Sequence, residues 1–181
     1  MAAETAFRIR RYRPHDIESV MGVFYETVHS TCTADYAPAQ LEAWAPRTPD
    51  RDSWKRRLES MRAIVAERTD DTALIGFASM DRPGHLDHLF VRPDQQRCGI
   101  ASALLDMLER EARDGGASAM RTEASITARP FFEHRGYRVL AKQQVKRHGV
   151  KLVNFRMERI FEREKSMQAE PLAESETTRS V

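Results

Sequence analysis

The stretch His85-Leu86-Asp87-His88-Leu89-Phe90-Val91-Arg92-Pro93-Asp94-Gln95-Gln96-Arg97-Cys98-Gly99-Ile100-Ala101-Ser102 limits the possible folds of this chain more than any other. It reads as a strand, a short turn and the start of a helix. Ile100, Leu104, Leu105, Leu108 and Ala112 share one helix face, with Asp106, Glu109, Arg110 and Arg113 on the other. Gly115-Gly116 stops the helix, and a strand pattern over 119–124 follows. A strand, a helix and a second strand in this order imply a parallel crossover.

The other segments imply antiparallel pairs. Residues 63–67 and 73–80 are strand-like and flank the polar turn Arg68-Thr69-Asp70-Asp71. Pro83-Gly84 turns the chain into the strand over 86–91, and residues 137–145 and 150–157 flank His148-Gly149. Near the N-terminus, 7–12 alternates apolar and charged. Ile17, Val20, Met21, Phe24, Tyr25 and Val28 form a helical stripe that ends near His29. Residues 30–50 are loop-rich around a short helical piece over 39–44, and 50–61 reads as a further helix. A short helix over 128–134 is closed by Gly136. The expected fold is a single mixed α/β domain over 7–160, with one central sheet and flanking helices. Residues 161–181 are rich in Glu, Ser and Thr and read as a polar, flexible tail.

Composition excludes several classes. A net charge of +2 with no dense Lys/Arg block argues against nucleic acid. No segment approaches the ~20 apolar residues that span a bilayer, and the first residues carry no signal-peptide pattern. With two cysteines and no sign of export, a disulfide framework is not expected, and the cytoplasm is the default compartment. His29-x-x-Cys32 is too poor in ligands for a metal site, so no metal is expected.

The turn before the helix leaves several backbone N–H groups free and aimed at one spot, where an anion can sit. It is not a P-loop, because no Gly-Lys-Ser/Thr follows, and it lacks the third glycine of the dinucleotide fingerprint. A phosphate or pyrophosphate on the N–H groups of residues 97–102 remains the favoured occupant.

With Leu89-x-Val91-x-Pro93 ahead of Gln96-x-x-Gly99-x-Ala101, and a short helix closed by Gly136-Tyr137, the chain resembles the GNAT (Gcn5-related) N-acetyltransferases over roughly 7–157. Residues 29–46 resemble a bacterial branch of that family. The resemblance implies a splayed mixed sheet with acetyl-CoA wedged between the strand ending at Val91 and the strand ending near Ala124. Pantetheine would pair with backbone groups of Leu89, Phe90 and Val91. The pyrophosphate would meet Gln96, Arg97, Cys98, Gly99, Ile100, Ala101 and Ser102, and Ala128, Phe131 and Phe132 would complete the cofactor wall. The implied activity is acetyl transfer to a primary amine in a ternary complex, a small amine favoured over a peptide amine. The family also forms homodimers, for which the final strands offer an interface.

The amine must lose a proton, and the oxyanion needs a donor, for which a backbone N–H near Val91 is placed. His85 and Asp87, two apart on a strand, point to one side and are candidate bases; His88 points the other way unless a bulge intervenes. Glu123, on the opposite lip of the splay, is a third candidate. His29, Tyr36 and Trp44 in the loop-rich region are candidate acceptor contacts. Two departures from the family pattern stand out. Phe132 occupies the place of a Tyr that protonates the leaving thiolate, leaving Tyr137 and Tyr36 as remote donors. Cys98 stands where Arg or Gly is usual; tolerance of close packing is preferred there over an oxidation-sensitive thiol. Phe132 also keeps open a non-catalytic CoA-binding or sensing module, and O-acetylation or a longer acyl chain stays open too.

Overall fold

The computed structural model describes residues 6–161. Seven strands form one sheet in the order β1-β2-β3-β4-β5-β7-β6: β1 (Phe7–Arg11), β2 (Arg62–Arg68), β3 (Leu74–Arg82), β4 (His85–Val91), β5 (Ala119–Ser125), β6 (Arg138–Arg147) and β7 (Val150–Ile160). Every adjacent pair is antiparallel except β4 and β5. The helices are α1 (Ile17–Thr31), α2 (Pro38–Trp44), α3 (Arg51–Glu59), α4 (Ile100–Asp114) and α5 (Arg129–His134). The mixed sheet with helices on both faces is the expected architecture, and the crossover through α4 makes the parallel pair.

The parallel pairing is short. β4 and β5 match only at His85↔Arg121 and Leu86↔Thr122, and then diverge. One core lies under α4 and α5, built on Leu86, Ile100, Leu104, Leu108, Met120 and Phe132. The other lies under α1, α2 and α3, built on Ile17, Phe24, Val28, Leu58, Val65 and Phe77. Helices on both faces leave the gap between β4 and β5 as an opening inside the fold, not at its edge.

β4 carries the irregularity that shapes the gap. Ser79 pairs with His88 and Met80 with Leu86, so Asp87 is an extra residue with no partner on β3. Without that bulge Leu86 would share a face with Phe90. With it, Leu86 joins Val91 in the α4 core while Phe90 packs against the α1 core.

Some boundaries differ from the sequence expectation. β7 extends to Ile160, past residue 157, because β5 pairs along it as far as Ala119↔Ile160. The tail was expected to start at Phe161, but that residue is docked. It is buried, its N–H donates to the Ser118 carbonyl, and the Arg113 guanidinium lies 4.2 Å from its ring centre. Burial of an aromatic ring outweighs the polar composition that follows it. The remainder of the expected tail, and residues 1–5, lie outside the described residues. Among the described residues no helix is long and apolar enough to cross a membrane, and no group of three or more His, Cys, Asp or Glu is placed to hold a metal.

Candidate active site

Two cavities meet at the splay. The first, of about 300 Å³, lies between the diverging ends of β4 and β5 and under the start of α4. Its wall includes Leu89, Phe90, Val91, Gln96, Arg97, Gly99, Ile100, Ala101, Ser102, Ala128, Phe131 and Phe132, all expected at the cofactor. Cys98 is the exception. It is exposed, off this wall, and its thiol sits 3.5 Å from the Gln96 carbonyl. An exposed side chain does not fit the close packing expected there.

Backbone parity says which groups of β4 face the gap. The Arg92 N–H donates to the Ile75 carbonyl, which makes Ile75–Arg92 a hydrogen-bonded pair. In an antiparallel ladder such pairs alternate, so Phe77–Phe90 is bonded and Ala78–Leu89 and Gly76–Val91 are not. The backbone groups of Leu89 and Val91 therefore turn toward β5, which is no longer paired there. Phe90 spends its backbone on β3, contrary to the expectation, and offers only its ring. The single Thr27 hydroxyl proton lies between the Val23 carbonyl at 2.6 Å and the Val91 carbonyl at 3.0 Å, so the groups of β4 with no side-chain neighbour are the Leu89 N–H and C=O and the Val91 N–H.

The turn beyond β4 leaves backbone N–H groups of the helix start without partners. Arg97 and Gly99 have φ of +62° and +78°, left-handed values that fold the chain back over the helix start. No side chain caps α4, so its first N–H groups are left without an internal partner. Gln96 Nε2 donates to Thr31 Oγ1 at 2.8 Å and ties the turn to α1, while Gln95 Oε1 is buried without a partner. Unpaired strand groups, an uncapped helix start and an orphaned amide oxygen fit an extended, anion-bearing ligand such as CoA.

The second cavity, of about 730 Å³, lies under α2, α3 and the β6–β7 hairpin. Trp44, Asp87, Phe90, Glu123 and Ser125 line both cavities, so the junction is walled by two carboxylates and two aromatic rings. Asp87 accepts from Arg57 Nη2 at 2.9 Å at both oxygens, and its Oδ2 is 2.9 Å from His88 Nδ1. Burial opposes its charge, but His88 and Arg57 outweigh burial and hold the carboxyl at about 2. His85 bridges Asp81 at 2.8 Å and Glu123 at 2.9 Å, one carboxylate on each ring nitrogen. Burial opposes its protonation, yet the two carboxylates prevail and raise its pKa.

The acceptor-side expectations divide. Trp44 and Tyr36 line the second cavity; His29 lines neither, because its Nε2 is 2.9 Å from the Ala45 carbonyl and its ring stacks on Tyr25. Tyr36 is a clamp: its hydroxyl donates to the Val153 carbonyl at 2.7 Å and accepts from the Ile126 N–H at 2.9 Å. Burial raises its pKa. Tyr137 donates to Glu109 Oε1 at 2.8 Å, and burial, with the Glu109 charge, pushes its pKa far above the usual phenol value. Both phenols are thus poor proton donors to a leaving group. Trp54, readable from the sequence as a core or lid anchor, lines the second cavity, and so do His88, Arg57 and Asn154, which the sequence does not single out. The one signal for His88 is that a bulge in the strand would turn it around.

The comparisons with known proteins agree with this geometry. The sequence matches the Acetyltransferase (GNAT) domain over residues 32–159. It is 35% identical over 150 residues to the uncharacterized N-acetyltransferase YafP of Escherichia coli (strain K12), covering 83% of this chain and 93% of that protein. A GCN5-related N-acetyltransferase structure from Rhodopseudomonas palustris superposes with a TM-score of 0.84 at 29% identity, covering 89% of this chain and 99% of that one. The PaiA N-acetyltransferase of Thermoplasma acidophilum, solved with coenzyme A, superposes with a TM-score of 0.70 at 18% identity, covering 86% and 99%.

Proposed function

The chain belongs to the GNAT family of acetyltransferases, and from that membership we propose that it moves the acetyl group of acetyl-CoA to the primary amine of a small molecule by direct attack. The observation that carries this reading is the junction. An unpaired strand edge and an uncapped helix start lead into a separate polar cavity through a neck walled by Asp87 and Glu123.

The N–H groups at the start of α4, over residues 97–102, hold the pyrophosphate. Leu89 and Val91 pair with pantetheine as an added strand would. The Leu89 N–H, the free donor nearer the junction, faces the thioester carbonyl and stabilises the oxyanion. Ala128, Phe131 and Phe132 cover the pantetheine from α5. Asp87 and Glu123 draw the acceptor ammonium to the neck, with His85 holding Glu123 in place. Phe132 has no proton to give, so the sulfur leaves as a thiolate or takes its proton from water. A cavity of about 730 Å³ lies in the size range of small-molecule sites, which favours a metabolite-sized amine. Two free cysteines suit a reducing compartment, and we place the enzyme in the cytoplasm.

The test is thiol release from acetyl-CoA with a panel of primary amines: benzylamine, ethanolamine, spermidine, amino-acid amides and a short peptide. Amine-dependent release, about tenfold or more lower in Glu123→Ala, supports the proposal. CoA binding by calorimetry with turnover of no amine overturns it in favour of a binding module.

A further inference from the structure

A base needs a lone pair, and two imidazoles that line the second cavity, His88 on β4 and His148 in the β6–β7 turn, keep an Nε2 without a hydrogen-bond partner among the described residues; of the two, only His88 adjoins Asp87 at the neck. His85 has a carboxylate on each ring nitrogen, so both nitrogens carry protons and neither can accept one. Glu123 is bound to His85, and Asp87 is held by Arg57 and His88. His88 differs. Its Nδ1 lies 2.9 Å from Asp87 Oδ2 and 2.7 Å from Ser79 Oγ, and Ser79 is fully buried. An ionised carboxylate only accepts and a serine hydroxyl can accept as well, so a proton on Nδ1 serves both neighbours, and that tautomer leaves the lone pair on Nε2. Nε2 has no hydrogen-bond partner among the described residues, and His88 lines the second cavity. The ring is held between Trp54 at 5.2 Å and Phe77 at 5.8 Å.

We propose that His88 is the general base of the transfer, that Asp87 is a positioning residue that sets its tautomer, and that Arg57 of α3 anchors Asp87. This rests on the amine-acetylation reading above. Nε2 takes one proton from the acceptor ammonium. The freed nitrogen pair attacks the thioester carbonyl carbon, the C–N bond forms, and the C–S bond breaks with its electron pair on sulfur. The second nitrogen proton passes to the thiolate or to water, and Nε2 returns its proton to solvent. The charged and titratable groups that share the cavity with the ring are Asp87 on β4, Arg57 on α3, Asp50 just before α3, Glu123 on β5, and Arg147 and His148 of the β6–β7 hairpin.

Two measurements test this. Long-range proton–nitrogen spectra of the histidine-labelled protein should show neutral His88 as the Nδ1–H tautomer, assigned by its loss in His88→Gln. An Nε2–H tautomer overturns the proposal without any turnover assay. With acetyl-CoA and the fastest amine of the panel, His88→Ala should lower kcat on the order of 100-fold and abolish the acid limb of the pH profile. Added imidazole should restore part of the rate, and CoA affinity should be unchanged. Asp87→Ala should raise the share of the Nε2–H tautomer in the same proton–nitrogen spectra, because the acceptor that holds the proton on Nδ1 is gone. An acid limb that persists in His88→Ala and vanishes in Glu123→Gln overturns the base assignment alone. A wild-type protein that binds CoA but acetylates nothing overturns the assignment and the function together.

Discussion

Asp87 titrates far below its ordinary range even though burial opposes its charge, because His88 and Arg57 outweigh burial. A depressed carboxyl contributes stability above its unfolded value of about 3.9 and loses it as pH falls toward the folded value of about 2. At 1.36 kcal/mol per unit the contribution is about 2–3 kcal/mol. Urea unfolding should therefore find Asp87→Asn about 2–3 kcal/mol less stable at pH 7, with the gap closing below about pH 4. An unchanged gap at pH 3 would assign the loss to packing instead. His85 has the opposite sign: its raised pKa adds stability below about 6.5 that is lost as pH rises through the folded value. Asp87 and Glu123 were legible as candidates from strand position. His88 was not, because strict alternation puts it on the other face, and the bulge that turns it depends on pairing with β3. His29 looked like an acceptor contact from its place beside the loop-rich region. The carbonyl that occupies it belongs to Ala45, 16 positions away.

Elements were read well where neighbouring residues carry the signal. α4 announces itself by its apolar face, and the β6–β7 hairpin by His148 and Gly149, whose φ of +45° and +85° suit a tight turn with a right-handed twist. Their ends were read less well, since β7 stops where β5 stops pairing with it. The segment between α1 and α2 is held by a bond that spans the chain. Tyr36 joins Val153 on β7 to Ile126 just beyond β5, and so fixes a wall of the second cavity. Replacing its hydroxyl leaves a carbonyl and an N–H without their partner. Tyr36→Phe should cost about 1–3 kcal/mol in chemical denaturation while leaving acetyl-CoA affinity within about twofold. A large loss of affinity at unchanged stability would make Tyr36 a ligand contact.

For the whole molecule, the gap between β4 and β5 is a defect in the sheet that a ligand can repair. Three backbone groups on β4 and the first N–H groups of α4 gain partners when a chain-like ligand enters. Acetyl-CoA should stabilise the fold accordingly, by about 2.7 kcal/mol at a hundredfold excess over its Kd. For a chain of 181 residues that is about 5–10 °C in Tm. A scan without such a shift, at a CoA concentration known to saturate by calorimetry, would show that the ligand binds elsewhere. The anion cradle could be read from residues 96–102, since its free N–H groups are consecutive in the chain and belong to one helix start. The same holds for the crossover and the two-sided burial of the sheet, which follow from local periodicity. The neck between the cavities could not be read this way. It joins Arg57 to Asp87 and His85 to Glu123, pairs 30 and 38 residues apart. Which of these side chains meet depends on one extra residue in β4. A one-residue bulge leaves composition and periodicity almost untouched, yet it reverses the face of every side chain beyond it. Backbone groups near in sequence are positioned by local geometry, whereas side chains distant in sequence are brought together by strand register, which forms only when the sheet does.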